Sequence, residues 1–268
     1  MGRHGARWEP GAGSDLASLR TRAVLDGDHF VVNGQKVWTS GAHDADVLLT
    51  FVRTDPDAPK HKGISVLLIP TDTPGVVRRP FPSIADGDDR DFNEVFFTDV
   101  RVPAENLIGE LNGGWKVANG SLGHERTLLW LSFSDRLQDL VEDFRPQTVL
   151  DRDRFASLVM DHQALKLLGS AALVRESRGN QDVPALSVLK LLGSEAVQNG
   201  AEYALDAAGA EGLVHPATTS AYVPWNLDNF SSSWFERFVR SFAGTIAGGT
   251  SEIQRNIIAE RVLGLPRG

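Results

Sequence analysis

Short apolar runs separated by turn dipeptides fill the first part of the chain and predict β-strands. The expected strands, in chain order, are Thr21–Leu25, His29–Val32, Gln35–Ser40, Asp46–Arg53, Gly63–Pro70, Val76–Pro80 and Phe92–Val102. In the last run Phe96, Thr98 and Val100 fall on one face at period two, the pattern of a half-buried strand. Asn33-Gly34, between two runs, predicts a hairpin because a type I′ turn requires positive φ. We expect an antiparallel β-domain.

From about residue 113 onward the apolar period becomes helical and the runs lengthen. The expected helices are Gly114–Phe144, Arg152–Ser177, Pro184–Ala208, Ser231–Ala247 and Ser251–Leu263. The last opens with a capping-box pattern, in which the Ser251 hydroxyl and the Gln254 amide each satisfy a backbone N–H of the first turn. The segment Ala210–Ser233 is rich in Gly, Pro, Ser and Asn and is expected to be a loop.

These two patterns together predict an α+β protein with two domains. Residues 1–110 form the antiparallel β-domain, a barrel or a sandwich, and residues 111–268 form an all-α helical bundle. With 268 residues, 41% of them hydrophobic and 23% charged, the composition is that of a globular chain long enough to bury a sizeable core.

Composition also excludes several classes of protein. The absence of cysteine excludes a disulfide framework, a thiolate zinc site and a catalytic cysteine. A net charge of -8 argues against sequence-independent binding of nucleic acid, which depends on clustered Lys and Arg. No apolar run reaches the roughly 18 residues of a membrane span, and Met1–Ala6 lacks the apolar region of a signal peptide. We expect a cytoplasmic protein that binds no nucleic acid.

Patterns with a known catalytic mechanism are scarce. Ser187-Val188-Leu189-Lys190 matches Ser-x-x-Lys, but it lies in an amphipathic helical stretch without a second motif, so chance explains it. His124-Glu125 has no second ligand at i+4 spacing, and no metal site is expected.

Three other segments allow a structural and a functional interpretation. Glu9–Asp15, Glu-Pro-Gly-Ala-Gly-Ser-Asp, is either a solvent loop or an anion cradle made by glycine backbone N–H groups and Ser14. Lys36–Gly41 is either core packing plus a turn or an aromatic plane with hydroxyls for a flat ligand. Gly248–Glu252 is either a simple helix cap or a set of backbone donors for an anionic group.

Taken together and in this order, these segments resemble the acyl-CoA dehydrogenase family. The match is carried by Trp8–Asp15 with Leu16–Leu19, Gly34–Gly41, Val100, Pro103, Asn106–Gly109, Gly113-Gly114-Trp115, Glu125-Arg126 and Ala247–Arg267. The joint pattern is highly specific, although the stretch from Leu131 to Phe242 matches only in its helical character.

The resemblance implies an FAD flavoprotein that removes an α-proton and a β-hydride from a CoA thioester and leaves a trans-2-enoyl thioester. It also implies an acyl-CoA substrate, an electron-transfer flavoprotein as acceptor, and assembly into a homo- or hetero-oligomer. Six positions match residues that contact FAD or the thioester in the family: Gly13, Ser14, Trp38, Ser40, Thr250 and Glu252. Trp38 would lie against the isoalloxazine and Ser40 near the reactive flavin nitrogen. Gly13 and Ser14 would face the pyrophosphate or the thioester end.

The catalytic base departs from the commonest family pattern. Many members carry a Glu immediately before the Gly-Thr of the last motif, and this position is Gly248 here. A minority supply the carboxylate from an earlier helix at a Glu followed by Arg, which Glu125-Arg126 matches, so the resemblance implies Glu125 as base. The alternative interpretation of Glu125 is one half of a surface charge pair with Arg126.

Two more departures leave three hypotheses open. Family members normally carry a helical domain ahead of the Glu-Pro-Gly segment, whereas this sequence begins only a few residues before that segment. No Arg-x-x-Phe-Gly segment is recognisable in Leu131–Leu165. The leading hypothesis is a dehydrogenase subunit that is active when assembled with a partner that supplies the missing part. The others are a non-catalytic structural subunit of a heteromeric dehydrogenase and an acyl-CoA oxidase-like flavoenzyme. The acyl chain does not follow from the sequence, because pocket shape decides it.

Overall fold

The computed structural model describes residues 3–84, 90–144, 146–179, 183–213 and 233–266. The chain divides into two compact units, with the change from the first to the second between Ser121 and Leu122. The first unit contains the strands, and the second contains most of the helical residues. The expected α+β class, with a β-sheet first and helices after it, is confirmed.

The described part of the first unit forms a curled, seven-stranded sheet. Its strands are β1 (Arg3–Ala6), β2 (Arg22–Asp26), β3 (His29–Ser40), β4 (Val47–Arg53), β5 (Ile64–Pro70), β6 (Val76–Phe81) and β7 (Phe92–Pro103). The order is β1-β4-β2-β3-β7-β6, and β5 pairs with β4 outside this path. The sheet is mixed and not antiparallel throughout as expected, since β1 runs parallel to β4 and β2 meets β4 in parallel at one residue pair. Alternation assigns residues to faces but does not fix the direction of a neighbouring strand.

The hairpin predicted at Asn33-Gly34 is wrong. This dipeptide lies inside β3, at a shift in register against β7. The Asn33 amide accepts from the Asp99 backbone N–H at 2.9 Å and donates to the Asp99 carboxylate at 3.0 Å. A Cβ at residue 34 would lie 2.6 Å from Thr21 Cα, so glycine is required here by a close backbone approach.

The helices lie close to their expected positions. They are α1 (Gly114–Asp143), α2 (Val149–Ser177), α3 (Val183–Ala208), α4 (Trp234–Ile246) and α5 (Ser251–Ile257), which continues as a π-helical turn over Ile258–Val262. α2 starts earlier than expected because the Thr148 hydroxyl accepts the Asp151 N–H while the Asp151 carboxylate accepts the Thr148 N–H. Most of the predicted loop Ala210–Ser233 lies outside the described residues.

The cap of α5 is shifted by one residue from the prediction. Thr250 is the N-cap, and its hydroxyl accepts the backbone N–H three residues further on at 3.2 Å. Ser251 is buried as the first helical residue. The Gln254 amide instead donates to the carbonyls of Gly248 at 3.1 Å and Gly249 at 3.3 Å. Both glycines have positive φ, 67° and 97°, which turns the chain so that residue 250 reaches the first turn.

Each unit has its own apolar core. In the first unit, Val32, Leu48 and Val100 belong to one buried cluster, and Leu19, Phe51 and Ile64 belong to another. In the helical unit, Leu137 of α1, Leu165 of α2 and Leu189 of α3 meet in a third. None of the described helices is long and apolar enough to cross a membrane.

Candidate functional site

The end of β3 projects an indole ring out of the sheet. Trp38 has a φ of 58°, in the left-handed region where a bulky residue is a genuine outlier. It lies in a β-bulge, because the register against β7 shifts between Lys36 and Thr39. The residue is 54% exposed. Such strained conformations concentrate at binding and catalytic sites.

Two phenylalanines hold the Trp38 ring in place. Phe81 at the end of β6 and Phe92 at the start of β7 each contact it edge-on, with ring centroids 5.2 Å away. The phenylalanine rings stack on each other at 6.1 Å. Because its neighbours meet it edge-on and more than half of its surface is open, the indole offers an aromatic surface to a flat ligand.

The backbone beyond Trp38 is fixed from the start of β7. The Gly41 N–H donates to the Asp91 carbonyl at 2.9 Å and to its carboxylate at 3.1 Å. The buried Asn93 amide donates to the Thr39 carbonyl at 3.1 Å. Ser40 lies between these anchors and is half-buried, and its hydroxyl has no hydrogen-bond partner among the described residues. It is therefore available to a ligand beside the indole.

The glycine-rich loop between β1 and β2 is tightened at its start. Glu9 and Ala12 exchange two backbone hydrogen bonds, of 3.2 and 3.1 Å. Gly13 and Ser14 follow and are exposed, and a Cβ at Gly13 would meet nothing within 4 Å. An ordered turn thus presents open backbone and a hydroxyl, as a phosphate cradle requires.

A buried ion pair joins this loop to β3. Lys36 Nζ lies 2.9 Å from Glu9 Oε1, and the two side chains are 0% and 8% exposed. Burial lowers the pKa of Lys36 to about 8, although the charge of Glu9 raises it. Burial opposes ionisation of Glu9, but the Lys36 ammonium and backbone N–H donors hold its pKa below the ordinary value. The attraction between the two charges thus favours the ionised pair against the cost of burial.

The helical unit carries the remaining predicted positions. Glu125 belongs to α1, and its side chain lies outside the described part of the structure. Thr250 uses its hydroxyl to cap α5, and Glu252 follows in the first turn. Hydrogen bonds from its own backbone and from Thr250 lower the pKa of Glu252. Gly248 has no side chain and a positive φ, and a Cβ there would approach Leu129 to 3.2 Å.

Comparison with known proteins identifies the family. The model of the acyl-CoA dehydrogenase middle domain matches residues 7–100, and that of the C-terminal domain matches residues 112–263. Over 97% of its length the chain is 40% identical to acyl-CoA dehydrogenase IpdE1 of Mycobacterium tuberculosis, and it covers 66% of that protein. The chain belongs to the acyl-CoA dehydrogenase family. It is also 40% identical to acyl-CoA dehydrogenase FadE34 of Mycobacterium tuberculosis, of which it covers 34%. It thus spans two thirds or less of the length of these relatives.

Solved structures of the family share the fold. The Tcur3481-Tcur3483 steroid ACAD matches 99% of this chain and 68% of the compared chain, with a TM-score of 0.84 and 31% identity. The ChsE4-ChsE5 complex from Mycobacterium tuberculosis matches 100% of this chain and 70% of the compared chain, with a TM-score of 0.81 and 31% identity.

Within this member of the acyl-CoA dehydrogenase family, each unit brings some predicted residues together. Trp38 and Ser40 share the end of β3, and the loop with Gly13 and Ser14 is tied to that strand. Thr250 and Glu252 share the first turn of α5. The described side chains include no group of three or more His, Asp and Glu able to hold a metal ion.

Sequence reasoning missed the groups that hold these residues in place. Phe81, Asp91 and Asn93 act across strands, so no local pattern reveals them. The Glu9–Lys36 pair does leave a signal. Lys36 falls on the face of β3 whose residues are buried. A charged side chain on that face requires a buried partner of opposite sign.

Proposed function

We propose that the protein is an FAD-dependent acyl-CoA dehydrogenase that catalyses α,β-dehydrogenation of an acyl-CoA thioester. The observation that supports this most directly is the strained, exposed indole of Trp38, two residues before Ser40, whose hydroxyl has no hydrogen-bond partner among the described residues. An isoalloxazine is the kind of flat, polar-edged ring that such a surface accepts. The exposed backbone at Gly13 and the Ser14 hydroxyl suit a pyrophosphate.

We assign different cofactor contacts to the two proposed domains, the β-domain at residues 1–110 and the helical domain at residues 111–268. The β-domain would hold the flavin ring and pyrophosphate through Trp38, Ser40, Gly13 and Ser14. The helical domain would contribute contacts from the first turn of α5, at Thr250 and Glu252. FAD, when bound, supplies the hydride acceptor for the reaction.

Glu125 on α1 would act as the base that removes the α-proton of the thioester. The reaction needs a carboxylate whose pKa approaches that of the acidified α-carbon. Gly248, at the position that carries the base in many family members, has no side chain to accept a proton. An electron-transfer flavoprotein would then receive the electrons.

We further propose that the protein works as a subunit of a hetero-oligomer. The support is its similarity to chains of the ChsE4-ChsE5 complex and of the Tcur3481-Tcur3483 steroid ACAD. Because the Tcur3481-Tcur3483 protein is named a steroid ACAD, steroid-derived acyl-CoA thioesters are a substrate class to test beside straight-chain and branched thioesters. A non-catalytic subunit is the alternative, and Gly248 is the observation that favours it.

The test is the visible spectrum of the protein purified from its native host, so that bound subunits stay attached. We expect flavin bands that survive desalting and bleach when an acyl-CoA is added without oxygen. Flavin bands that no thioester bleaches would favour the non-catalytic subunit, and peroxide formed in step with substrate in air would favour an oxidase. A protein that stays colourless after incubation with FAD would contradict the proposal.

A further inference from the structure

One carboxylate closes the glycine-rich loop. Glu9 stands at the start of the loop, and its carboxylate accepts the backbone N–H groups of Arg20 at 2.7 Å and of Thr21 at 2.9 Å, just beyond the loop's end. The residues between, 10–19, include the exposed Gly13 and Ser14. Loops whose ends meet in this way are compact and hold their shape.

The same carboxylate binds the strand that carries the indole. Lys36 Nζ donates to Glu9 Oε1 at 2.9 Å, and the neighbouring Val37 N–H donates to the Trp8 carbonyl at 2.9 Å. Lys36 is also the last residue in register with β7 before the bulge that contains Trp38. The loop is therefore linked to the strand that enters the bulge by this side-chain pair and by the backbone hydrogen bond between Val37 and Trp8.

Stability alone does not explain an ion pair at this place. Both side chains are buried, and removing two charges from water offsets most of what they gain from each other. An uncharged pair of similar volume that kept an acceptor for the backbone N–H groups of Arg20 and Thr21 would serve stability at least as well. What the charged pair adds is direction, because the carboxylate is held by several donors with defined geometry.

We propose that the Glu9–Lys36 pair fixes the glycine loop relative to Trp38, so that the loop and the indole form one flavin-binding surface. Glu9 and Lys36 are then positioning residues that touch no flavin themselves. This inference rests on the proposed binding of FAD.

The experiment compares Glu9→Gln, Lys36→Met and the double variant with the natural chain. Each single change leaves one buried charge without its partner, so we expect a Tm lower by roughly 10 °C. The double variant removes both charges and keeps the volume, so we expect most of the Tm to return. We nevertheless expect FAD to bind it about tenfold or more weakly, because the loop is no longer pre-organised.

The loop itself is measured in the FAD-free protein by hydrogen exchange. We expect faster exchange in a peptide that covers residues 9–21 of the double variant, with unchanged exchange in β4 and β5. The control is Asp26→Asn combined with Arg101→Met, which removes an exposed cross-strand pair of 3.1 Å in the same sheet. It should change neither loop exchange nor FAD affinity.

Two results would overturn the inference. One is a double variant whose loop exchanges like that of the natural chain. The other is FAD affinity that simply follows Tm across the variants, which is what a purely structural role predicts. If the natural chain binds no FAD, the proposed function fails, and hydrogen exchange still decides whether the pair holds the loop.

Discussion

At the scale of single residues, Trp38 combines a strained backbone conformation with a large aromatic side chain that is more than half exposed to solvent. A non-glycine residue in the left-handed region costs of order 1–3 kcal/mol, and its φ is 58°. The edge-on contacts with Phe81 and Phe92 stabilise the folded state by about 0.5–1.5 kcal/mol each. The cost of the strained backbone and the gain from the ring contacts are thus of similar size, so the position is close to neutral for folding.

The first prediction separates folding from binding at this residue. Trp38→Gly relieves the strain and loses the ring contacts, so its unfolding free energy should stay within about 1 kcal/mol of the natural value. Its FAD affinity, measured by flavin fluorescence, should fall sharply. Leu25→Ala, at an equally exposed site of the same sheet, is the control and should bind FAD normally. Unchanged FAD affinity in Trp38→Gly would remove the indole from the site.

The second prediction concerns Glu125 as the proposed base. Glu125→Gln keeps the size of the side chain but cannot accept the α-proton, so turnover should fall by about 10²-fold or more. FAD should remain bound, and the flavin spectrum should stay as in the natural protein. Glu202→Gln, on the exposed face of α3, is the matched control. Full turnover by Glu125→Gln with FAD bound would sink the assignment.

At the scale of elements, the start of α5 shows that a shift of one residue along the chain decides which side chain caps the helix. The Thr250 hydroxyl accepts a first-turn N–H, whereas the Ser251 hydroxyl is buried without a hydrogen-bond partner among the described residues. Both residues suit a helix start by type. Only the turn made by Gly248 and Gly249 decides which of them caps.

The third prediction follows from this cap. Thr250→Ala should lower the unfolding free energy by about 1 kcal/mol, because the first turn loses a partner. Ser251→Ala should leave the unfolding free energy unchanged or slightly raised, because it removes a buried hydroxyl that makes no hydrogen bond among the described residues. Urea unfolding of the two variants measures the difference. The reverse order of stabilities would place the cap at Ser251.

At the scale of the whole molecule, a buried histidine links the stability of the bundle to pH. His162 of α2 is 4% exposed, and its Nε2 lies 3.3 Å from the Ser134 hydroxyl of α1. Burial, assisted by the charge of Lys166, lowers the pKa of His162 below its ordinary 6.5. The unfolded chain therefore binds more protons than the folded chain just below pH 6.5.

The fourth prediction is that stability decreases as the pH falls through 6.5 toward the folded pKa of His162. Unfolding free energies of the natural chain and of His162→Gln should converge over this range, because the variant has no proton to bind there. Gln163→Ala, at an exposed position of α2 without a titratable group, is the control and should keep the slope of the natural chain. Parallel curves for the natural chain and His162→Gln would show that another group titrates.

Local pattern determined much of this protein. The strand runs, the change to helical period near residue 113 and the starts of α1 and α3 follow from the alternation of apolar residues. That alternation is set by each residue's own burial and needs no knowledge of its partners. The joint order of the glycine loop, the Trp38 segment and the final helix also indicated the family that the comparisons show.

Tertiary contacts decided what lies between these elements. Asn33-Gly34 continues β3 opposite a shift in the register of β7 instead of forming a hairpin; Thr21 leaves no room for a Cβ at residue 34, and Asp99 binds the Asn33 amide. The parallel pairing of β1 with β4 and the left-handed Trp38 likewise depend on strands distant in sequence. A propensity carries no information about such partners, so only the folded chain fixes register, bulges and buried ion pairs.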